Sequence, residues 1–106
     1  MPIDNAPFVH VVLFGLPEDA DPSEADALIA DIDKLLRPLP TVRHLERGKR
    51  ADTAVRPIVL TDYDVGLLVM LEDKAGLDAY LTHPDHVVFA TKWAAQSTIR
   101  VMDFSA

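Results

Sequence analysis

The chain has 106 residues, a length that suits one domain and leaves no room for a second hydrophobic core. With 49% hydrophobic and 25% charged residues it is too apolar for intrinsic disorder, and the lack of cysteine excludes disulfides and thiolate chemistry. A net charge of −7 argues against a nucleic acid or an anionic membrane as partner.

The start of the chain carries no targeting signal. The segment from Met1 to Asn5 lacks the basic start and apolar run of a signal peptide. No stretch reaches the roughly 18 apolar residues that a membrane helix needs. We therefore expect a cytoplasmic protein with one domain over residues 1–106 and an ordered core at about 8–104.

The first half of the chain alternates strand and helix signals. The β-branched and aromatic run Phe8–Leu16 predicts a strand. Asp21 supplies a capping acceptor before Pro22, and apolar residues at helical spacing then predict a helix that ends near Arg37. Beyond the prolines that stop this helix, Val42–Arg47 predicts a more exposed strand at an edge of the sheet.

The second half begins with an irregular segment. Lys49–Asp62 shows no sustained period and predicts a loop, with a short extended piece at Ile58–Leu60. Tyr63–Leu71 predicts the third strand and Ile99–Phe104 the fourth. In the third strand, Leu68 and Met70 alternate with Leu67 and Val69, so that neither side carries a charge.

A helical region separates these two strands. It begins near Glu72, breaks at His83 and Pro84, and continues as a second helix to about Ala95. The resulting order, βαββαβ, predicts an α+β protein with a ferredoxin-like fold. Its antiparallel four-stranded sheet would carry helices on one face.

Both faces of the predicted sheet are apolar. In the first strand Val12 and Phe14 alternate with Val11 and Leu13, where a half-exposed sheet would alternate apolar with polar residues. Each exposed valine or leucine forgoes roughly 1.5–3 kcal/mol of burial. We therefore predict a homodimer in which two sheets pack face to face as a dimeric α+β barrel. The alternative is a monomer whose Lys49–Asp62 loop covers the second face and brings charges inside.

The last predicted helix carries the most informative pattern. His86, Phe89 and Trp93 fall on one stripe, so His86 should point inward. Tyr80 shares the apolar side of the preceding helix, and His10 is a polar residue in an apolar strand. An imidazole can accept a proton and a phenol can hold a developing oxyanion, as enolisation, aldol closure or cyclisation without a cofactor requires. The alternative for each is a hydrogen-bonded core residue.

Other polar residues have simpler interpretations. His83 before its proline predicts a turn and helix cap, and His44 should be solvated on the exposed strand. The histidine spacing gives only a weak metal signal, and phosphate-loop, nucleophile-elbow and dinucleotide patterns are absent. The acidic residues of the first helix are expected to face solvent; they are Asp21, Asp26, Asp31 and Asp33.

Several of these residues resemble a known family. The run from His10 to Phe14, Gly48 after the second strand, Tyr63 opening the third, and above all the Y-x-x-H-P-x-H run from Tyr80 to His86 are similar to the stress-responsive A/B barrel (Dabb) family. The resemblance covers nearly the whole chain. It implies a dimeric α+β barrel, in agreement with the two apolar faces.

The resemblance implies mixed functions. In a plant polyketide cyclase of this family the catalytic tyrosine and histidine match Tyr80 and His86, and a strand histidine matches His10. A further pocket histidine of that enzyme falls at Val65 here. The resemblance thus implies a cofactor-independent cyclase or lyase acting on a small apolar, polyketide-like carbonyl compound. The alternatives are a non-catalytic stress-related or ligand-binding dimer and a related monooxygenase.

Two further sets of residues follow from this resemblance. The candidate substrate-binding residues are Val12, Val65, Phe89 and Trp93. Some family members hold a structural magnesium ion on backbone carbonyls just after the first helix. Those carbonyls would fall near Leu36, Leu39 and Val42.

Overall fold

The computed structural model describes residues 8–106 in the predicted βαββαβ order, and residues 1–7 of the expected domain lie outside the described residues. The strands are β1 (Phe8–Gly15), β2 (His44–Lys49), β3 (Val65–Leu71) and β4 (Thr98–Ser105). The helices are α1 (Ser23–Asp31), α2 (Lys74–Thr82) and α3 (Pro84–Ala94), and a π-helical turn, Ile32–Leu36, continues α1. All strand pairs are antiparallel in the order β2-β3-β1-β4, which confirms the ferredoxin-like α+β fold.

Short polar side chains begin the helices where the sequence predicts. The Asp21 carboxylate accepts the N–H of Ser23 at 2.9 Å just before α1, and Asp73 caps α2. Nδ1 of His83 accepts the N–H of Asp85 at 3.1 Å. His83 is therefore the cap of α3, as its position before a proline predicts.

Two local predictions are wrong. The second strand is shifted by two residues from Val42–Arg47 to His44–Lys49, and Gly48 lies within the ladder opposite Gly66 instead of ending the strand. The predicted extended piece Ile58–Leu60 is not a strand, because its first two residues belong to a turn over residues 56–59 that is closed by a 3.0 Å hydrogen bond from the Val59 N–H to the Arg56 carbonyl. Pro57 is the second residue of this turn and favours it, because the fixed φ of proline suits that position.

Two acidic residues near the end of α1 are structural. Asp33 accepts two hydrogen bonds of 2.7 Å from Arg47 on β2, and these lower the Asp33 pKa to about 2. Asp31 accepts the indole N–H of Trp93 at 3.0 Å and the ammonium of Lys92 at 2.8 Å. The expectation that these carboxylates simply face solvent is wrong, because partners distant in sequence meet them.

The hydrophobic core lies between the sheet and the helices. Alternate residues of β1 and β3 enter it, including Phe14, Val65 and Val69, which are each at most 1% exposed. Leu28 from α1 and Trp93 from α3 fill the space opposite them. Among residues 8–106, no helix is long and apolar enough to cross a membrane.

Within residues 8–106 no helix packs on the second face of the sheet, and we call it the open face. Strand alternation places these apolar side chains there: Val9, Val11, Leu13, Leu68, Met70, Met102 and Phe104. Met102 is 58% exposed and Phe104 is 49% exposed. The segment after β2 leaves them uncovered, since its own Val55 and Ile58 are 82% and 84% exposed. The alternative of a loop that covers this face is therefore wrong.

Candidate functional site

A cavity of about 120 Å³ lies between the sheet and the helices α2 and α3. Its polar lining consists of His10, Tyr80 and His86, so the fold brings the three predicted catalytic residues to one place. The rest of the lining is apolar, from Val12, Phe14, Leu36, Leu67, Leu81, Phe89, Ala90, Ile99 and Val101. The more exposed lining residues lie on α2, α3 and β4, and they define the mouth: Leu81, His86, Ala90, Ile99 and Val101.

Tyr80 places a phenol in this cavity from the last turns of α2. Its side chain is 1% exposed, and its hydroxyl has no hydrogen-bond partner within residues 8–106. A buried hydroxyl without a partner costs roughly 1–3 kcal/mol, so native proteins rarely keep one without a reason. Burial raises the Tyr80 pKa, so the hydroxyl stays protonated and can donate to a ligand.

His86 lies beside this phenol because α3 begins directly after α2. The two ring centroids are 4.7 Å apart, in an edge-to-face arrangement. Burial lowers the His86 pKa and the neighbouring His10 lowers it further, while the backbone carbonyl of Leu81 acts in the opposite direction. His86 is therefore neutral at pH 7, which is the form that accepts a proton.

His10 reaches the same cavity from the middle of β1. Its ring is 5% exposed and lies 6.0 Å from the Tyr80 ring, centroid to centroid. Nδ1 of His10 lies 2.5 Å from a carboxylate oxygen of Asp103, the residue directly opposite on β4. Because an ionised carboxylate only accepts hydrogen bonds, Nδ1 carries the proton and Nε2 is the ring nitrogen left for a ligand.

The predicted substrate-binding residues divide into two groups. Val12 and Phe89 line the cavity. Trp93 is fully buried but lies outside the lining, with its indole N–H bound to Asp31. Val65 is also fully buried and outside the lining, at the start of β3. The structure therefore brings only the first pair to the site.

The sequence reasoning missed Asp103. This residue interrupts the apolar alternation of β4, and that interruption is the signal that could have marked it. Its partner becomes evident only from the register, which pairs Asp103 with His10 across 93 residues of sequence. Leu36, Ile99 and Val101 also line the cavity and were missed, because their places there depend on how distant segments pack together.

The described residues give little support to a metal site. No group of three or more histidine, aspartate or glutamate residues within 8–106 could hold an ion. The predicted carbonyl ligands Leu36 and Leu39 each accept a backbone hydrogen bond of 3.1 Å, the second from Val42, and no carboxylate accompanies them in that set. Magnesium is usually bound through one or two carboxylates, so this set does not fit it and we assign it no chemistry.

A larger cleft, of about 540 Å³, lies at the other end of the sheet. Four of the five charged side chains that line it have partners in the fold, and the fifth, Glu18, is exposed to solvent. Asp62 binds Arg100 at 2.9 Å, and Asp64 accepts the N–H of Leu16 at 2.7 Å. Arg50 donates to a backbone carbonyl. Because these groups are satisfied, the smaller cavity with its unpartnered phenol is the better candidate site.

The fold and the cavity define an α+β protein of the ferredoxin-like class with a pocket between sheet and helices. A model of the stress-responsive A/B barrel domain, Dabb, matches residues 8–106. The chain therefore belongs to the Dabb family, as the sequence resemblance indicates.

Solved structures agree with this assignment. A Dabb family protein from Mesorhizobium loti is 26% identical with a TM-score of 0.77, covering 93% of this chain and 95% of its own. A dimeric ferredoxin-like protein of unknown function from Jannaschia is 25% identical with a TM-score of 0.74, covering 93% and 98%. A hydroxynitrile lyase from Passiflora edulis is 17% identical with a TM-score of 0.76, covering 95% and 94%, which shows the fold alone. A comparison with curated proteins found no match.

Proposed function

We propose that this cavity binds a small apolar carbonyl compound and removes a proton next to its carbonyl group without a cofactor. The observation that carries the proposal is the Tyr80 hydroxyl, which is buried beside a neutral imidazole and has no hydrogen-bond partner among residues 8–106. A carbonyl oxygen in the cavity would accept the hydrogen bond that this hydroxyl lacks. A core tyrosine whose hydroxyl already donated to a protein group would have no hydrogen bond left to give to a ligand.

The chemical step uses two groups on neighbouring helices. His86 takes a proton from the carbon beside the carbonyl, and the electrons of that C–H bond form the carbon–carbon double bond of an enolate. The carbonyl oxygen gains the negative charge, and the Tyr80 hydroxyl donates to it. Returning the proton from His86 to carbon completes an enolisation, and attack of the enolate on a second carbonyl would begin an aldol closure.

His10 has a supporting role in this proposal. Its bond to Asp103 holds the imidazole in one orientation with Nδ1 protonated. In this tautomer Nε2 of His10 carries a lone pair and can accept a hydrogen bond from the ligand. Two histidines in different environments can thus take different roles, with His86 as the base and His10 as an acceptor that orients the ligand.

The comparisons support this proposal at the level of architecture. The Passiflora protein is named as a lyase and shares this fold over nearly its whole length. A fold alone does not define an activity, so the support remains general. The particular argument for this chain comes from Tyr80, His86 and His10.

Deuterium exchange tests the proposal without knowledge of the natural substrate. Wild-type protein in D₂O should accelerate exchange of the methyl protons of acetophenone, followed by NMR. His86→Gln should lower the protein-dependent rate by about 10²–10⁴, the usual contribution of a positioned base. Tyr80→Phe should lower it by at least about tenfold, since one oxyanion donor is lost.

Matched variants serve as controls. His44→Gln and Tyr63→Phe make the same chemical changes outside the cavity and should keep the wild-type rate. Equal exchange by wild type and His86→Gln would refute the catalytic role. It would favour the non-catalytic alternative, a ligand-binding or structural dimer.

The open face supports a second part of the proposal, that two copies pack through this face as a homodimer. Seven apolar side chains from three strands form it, and Phe104 is half exposed in the single chain. Such a continuous apolar surface is typical of an interface. The Jannaschia relative is described as dimeric and has the same fold.

Light scattering after gel filtration tests the homodimer. The wild type should have twice the 11.7 kDa mass of one chain, and Phe104→Glu should shift it toward the monomer. Val88→Glu is the control, because Val88 is 59% exposed on α3 and does not belong to the open face. A monomeric wild type at micromolar concentration would contradict the homodimer.

A further inference from the structure

We infer that the ligand of this cavity is an uncharged carbonyl compound about the size of one six-membered ring, neither a carboxylate nor a polycyclic or long-chain molecule. The inference rests on the proposed function, because the same cavity and the same three polar residues carry both. It adds the size, charge and orientation of the ligand, which follow from separate observations.

The size follows from the volume. A dry cavity of about 150 Å³ lined by aliphatic and aromatic residues holds benzene, whereas sites for drug-sized ligands span about 300–1,000 Å³. The present cavity, at about 120 Å³, falls near the lower figure. A second ring or a long chain would have to leave through the mouth, past Val101, which is 53% exposed.

The charge follows from the lining. Neither lysine nor arginine lines the cavity within residues 8–106. The nearby carboxylate, Asp103, is already bound to His10. An ionised ligand would lose its hydration among nine apolar side chains without a fixed counter-charge, which is costly. The net charge of −7 further disfavours an anion.

The orientation follows from the separation of polar and aromatic walls. The rings of His10 and His86 flank that of Tyr80 at 6.0 Å and 4.7 Å. Phe14 and Phe89 form a further edge-to-face pair with centroids 6.0 Å apart, and the Phe89 ring lies 6.5 Å from that of His86. A carbonyl group would therefore meet the polar residues while the apolar body packs against the two phenylalanines.

Four probes separate size, charge and polarity: acetophenone, benzoate, toluene and 2-acetonaphthone. Their dissociation constants are measured by ligand-observed NMR with the intact protein. Acetophenone should bind best, with benzoate and 2-acetonaphthone at least tenfold weaker. Toluene should also bind more weakly than acetophenone, and Tyr80→Phe should remove most of that difference because the carbonyl then loses its donor.

Variants of the lining locate the site. Ala90→Leu fills the cavity and should abolish acetophenone binding, whereas Ala94→Leu on the exposed side of the same helix should not. Leu81→Ala enlarges the mouth and should improve 2-acetonaphthone relative to acetophenone by several-fold. Circular dichroism verifies that each variant is folded, and Tyr80→Phe provides an independent readout if one is not.

The outcomes distinguish this inference from the proposed function. Benzoate or 2-acetonaphthone binding as well as acetophenone, no binding by any probe, or unchanged binding in Ala90→Leu would each overturn the ligand class. Selective binding of acetophenone without deuterium exchange would support the ligand class and refute the catalytic proposal. Exchange that depends on His86 but prefers 2-acetonaphthone would do the reverse.

Discussion

Two ends of the layer between sheet and helices differ in one respect. At the first end Trp93 packs α3 against the segment after α1, and at the second Tyr80 borders the cavity. Both aromatic side chains are at most 1% exposed. The indole N–H is bound to Asp31, whereas the phenol has no partner within the described residues. Hydrogen bonding, and not burial, therefore separates the part that stabilises the fold from the part suited to a ligand.

The largest expected effect concerns the end that contains Trp93, which we call the filled end. Trp93→Ala should lower the free energy of unfolding by about 3–5 kcal/mol, because it leaves a cavity in the packed core. Urea denaturation of wild type and variant measures the difference. Lys92→Ala, which removes an exposed neighbour on the same helix, should cost well under half as much. A loss below about 1 kcal/mol for Trp93→Ala would contradict the description of this end as tightly packed.

At the end that borders the cavity, which we call the hollow end, a substitution should change the free energy of unfolding in the opposite direction. Tyr80→Phe removes a buried hydroxyl that has no hydrogen-bond partner in the described part of the chain, so the free energy of unfolding should stay the same or rise by about 1–2 kcal/mol. Tyr63→Phe is the matched control at a half-buried position and should change little. A loss of more than about 1 kcal/mol in Tyr80→Phe would mean that the hydroxyl has a partner after all, and the contrast between the two ends would fail.

A smaller effect should appear in the pH dependence. The folded His86 has a pKa below its ordinary value of 6.5, so the unfolded chain binds that proton more readily. His86 therefore lowers stability as the pH falls below 6.5 and has no such effect at higher pH. Denaturation at pH 7.5 and pH 5.5 should show a smaller acid loss in His86→Gln than in wild type. His44→Gln controls for the loss of an imidazole.

The smallest effect concerns the ion pair between the segment after α1 and β2. The Asp33 pKa is lowered from 3.8 to about 2, so its contribution is complete above pH 4 and is lost as the pH falls toward 2. The carboxylate is about one-third exposed, and Asp33→Asn should cost only about 0.5–1 kcal/mol at pH 7. If Asp33→Asn and wild type lost the same stability on acidification, solvent would screen the ion pair completely.

Local signals in the sequence predicted most of the fold. Runs of β-branched and aromatic residues located the strands, apolar residues at successive strand positions indicated the second apolar face, and the proline after His83 marked the helix cap. Helical spacing also predicted which side of α3 points inward, and in the structure His86 and Phe89 on that side line the cavity. These features depend on neighbours within a few residues, which is why a single sequence contains them.

The remaining features depend on distant contacts. Nothing local pairs Asp103 with His10, because their contact requires the register of β4 on β1. The helical pattern likewise places Asp33 on a solvated face, because its partner Arg47 lies on a strand 14 residues away in sequence. Trp93 shows a further limit, since its stripe predicts burial but not whether the surrounding space is filled or hollow.

Strand β4 has a consequence for how the protein can change during evolution. Its residues Ile99, Val101 and Asp103 face the cavity side, while Met102 and Phe104 lie on the open face. Point substitutions at alternate positions can therefore alter ligand preference and self-association separately. A single inserted or deleted residue in β4 would exchange the two sets of side chains and damage both properties at once. We expect related sequences to vary in the composition of this strand but not in its length.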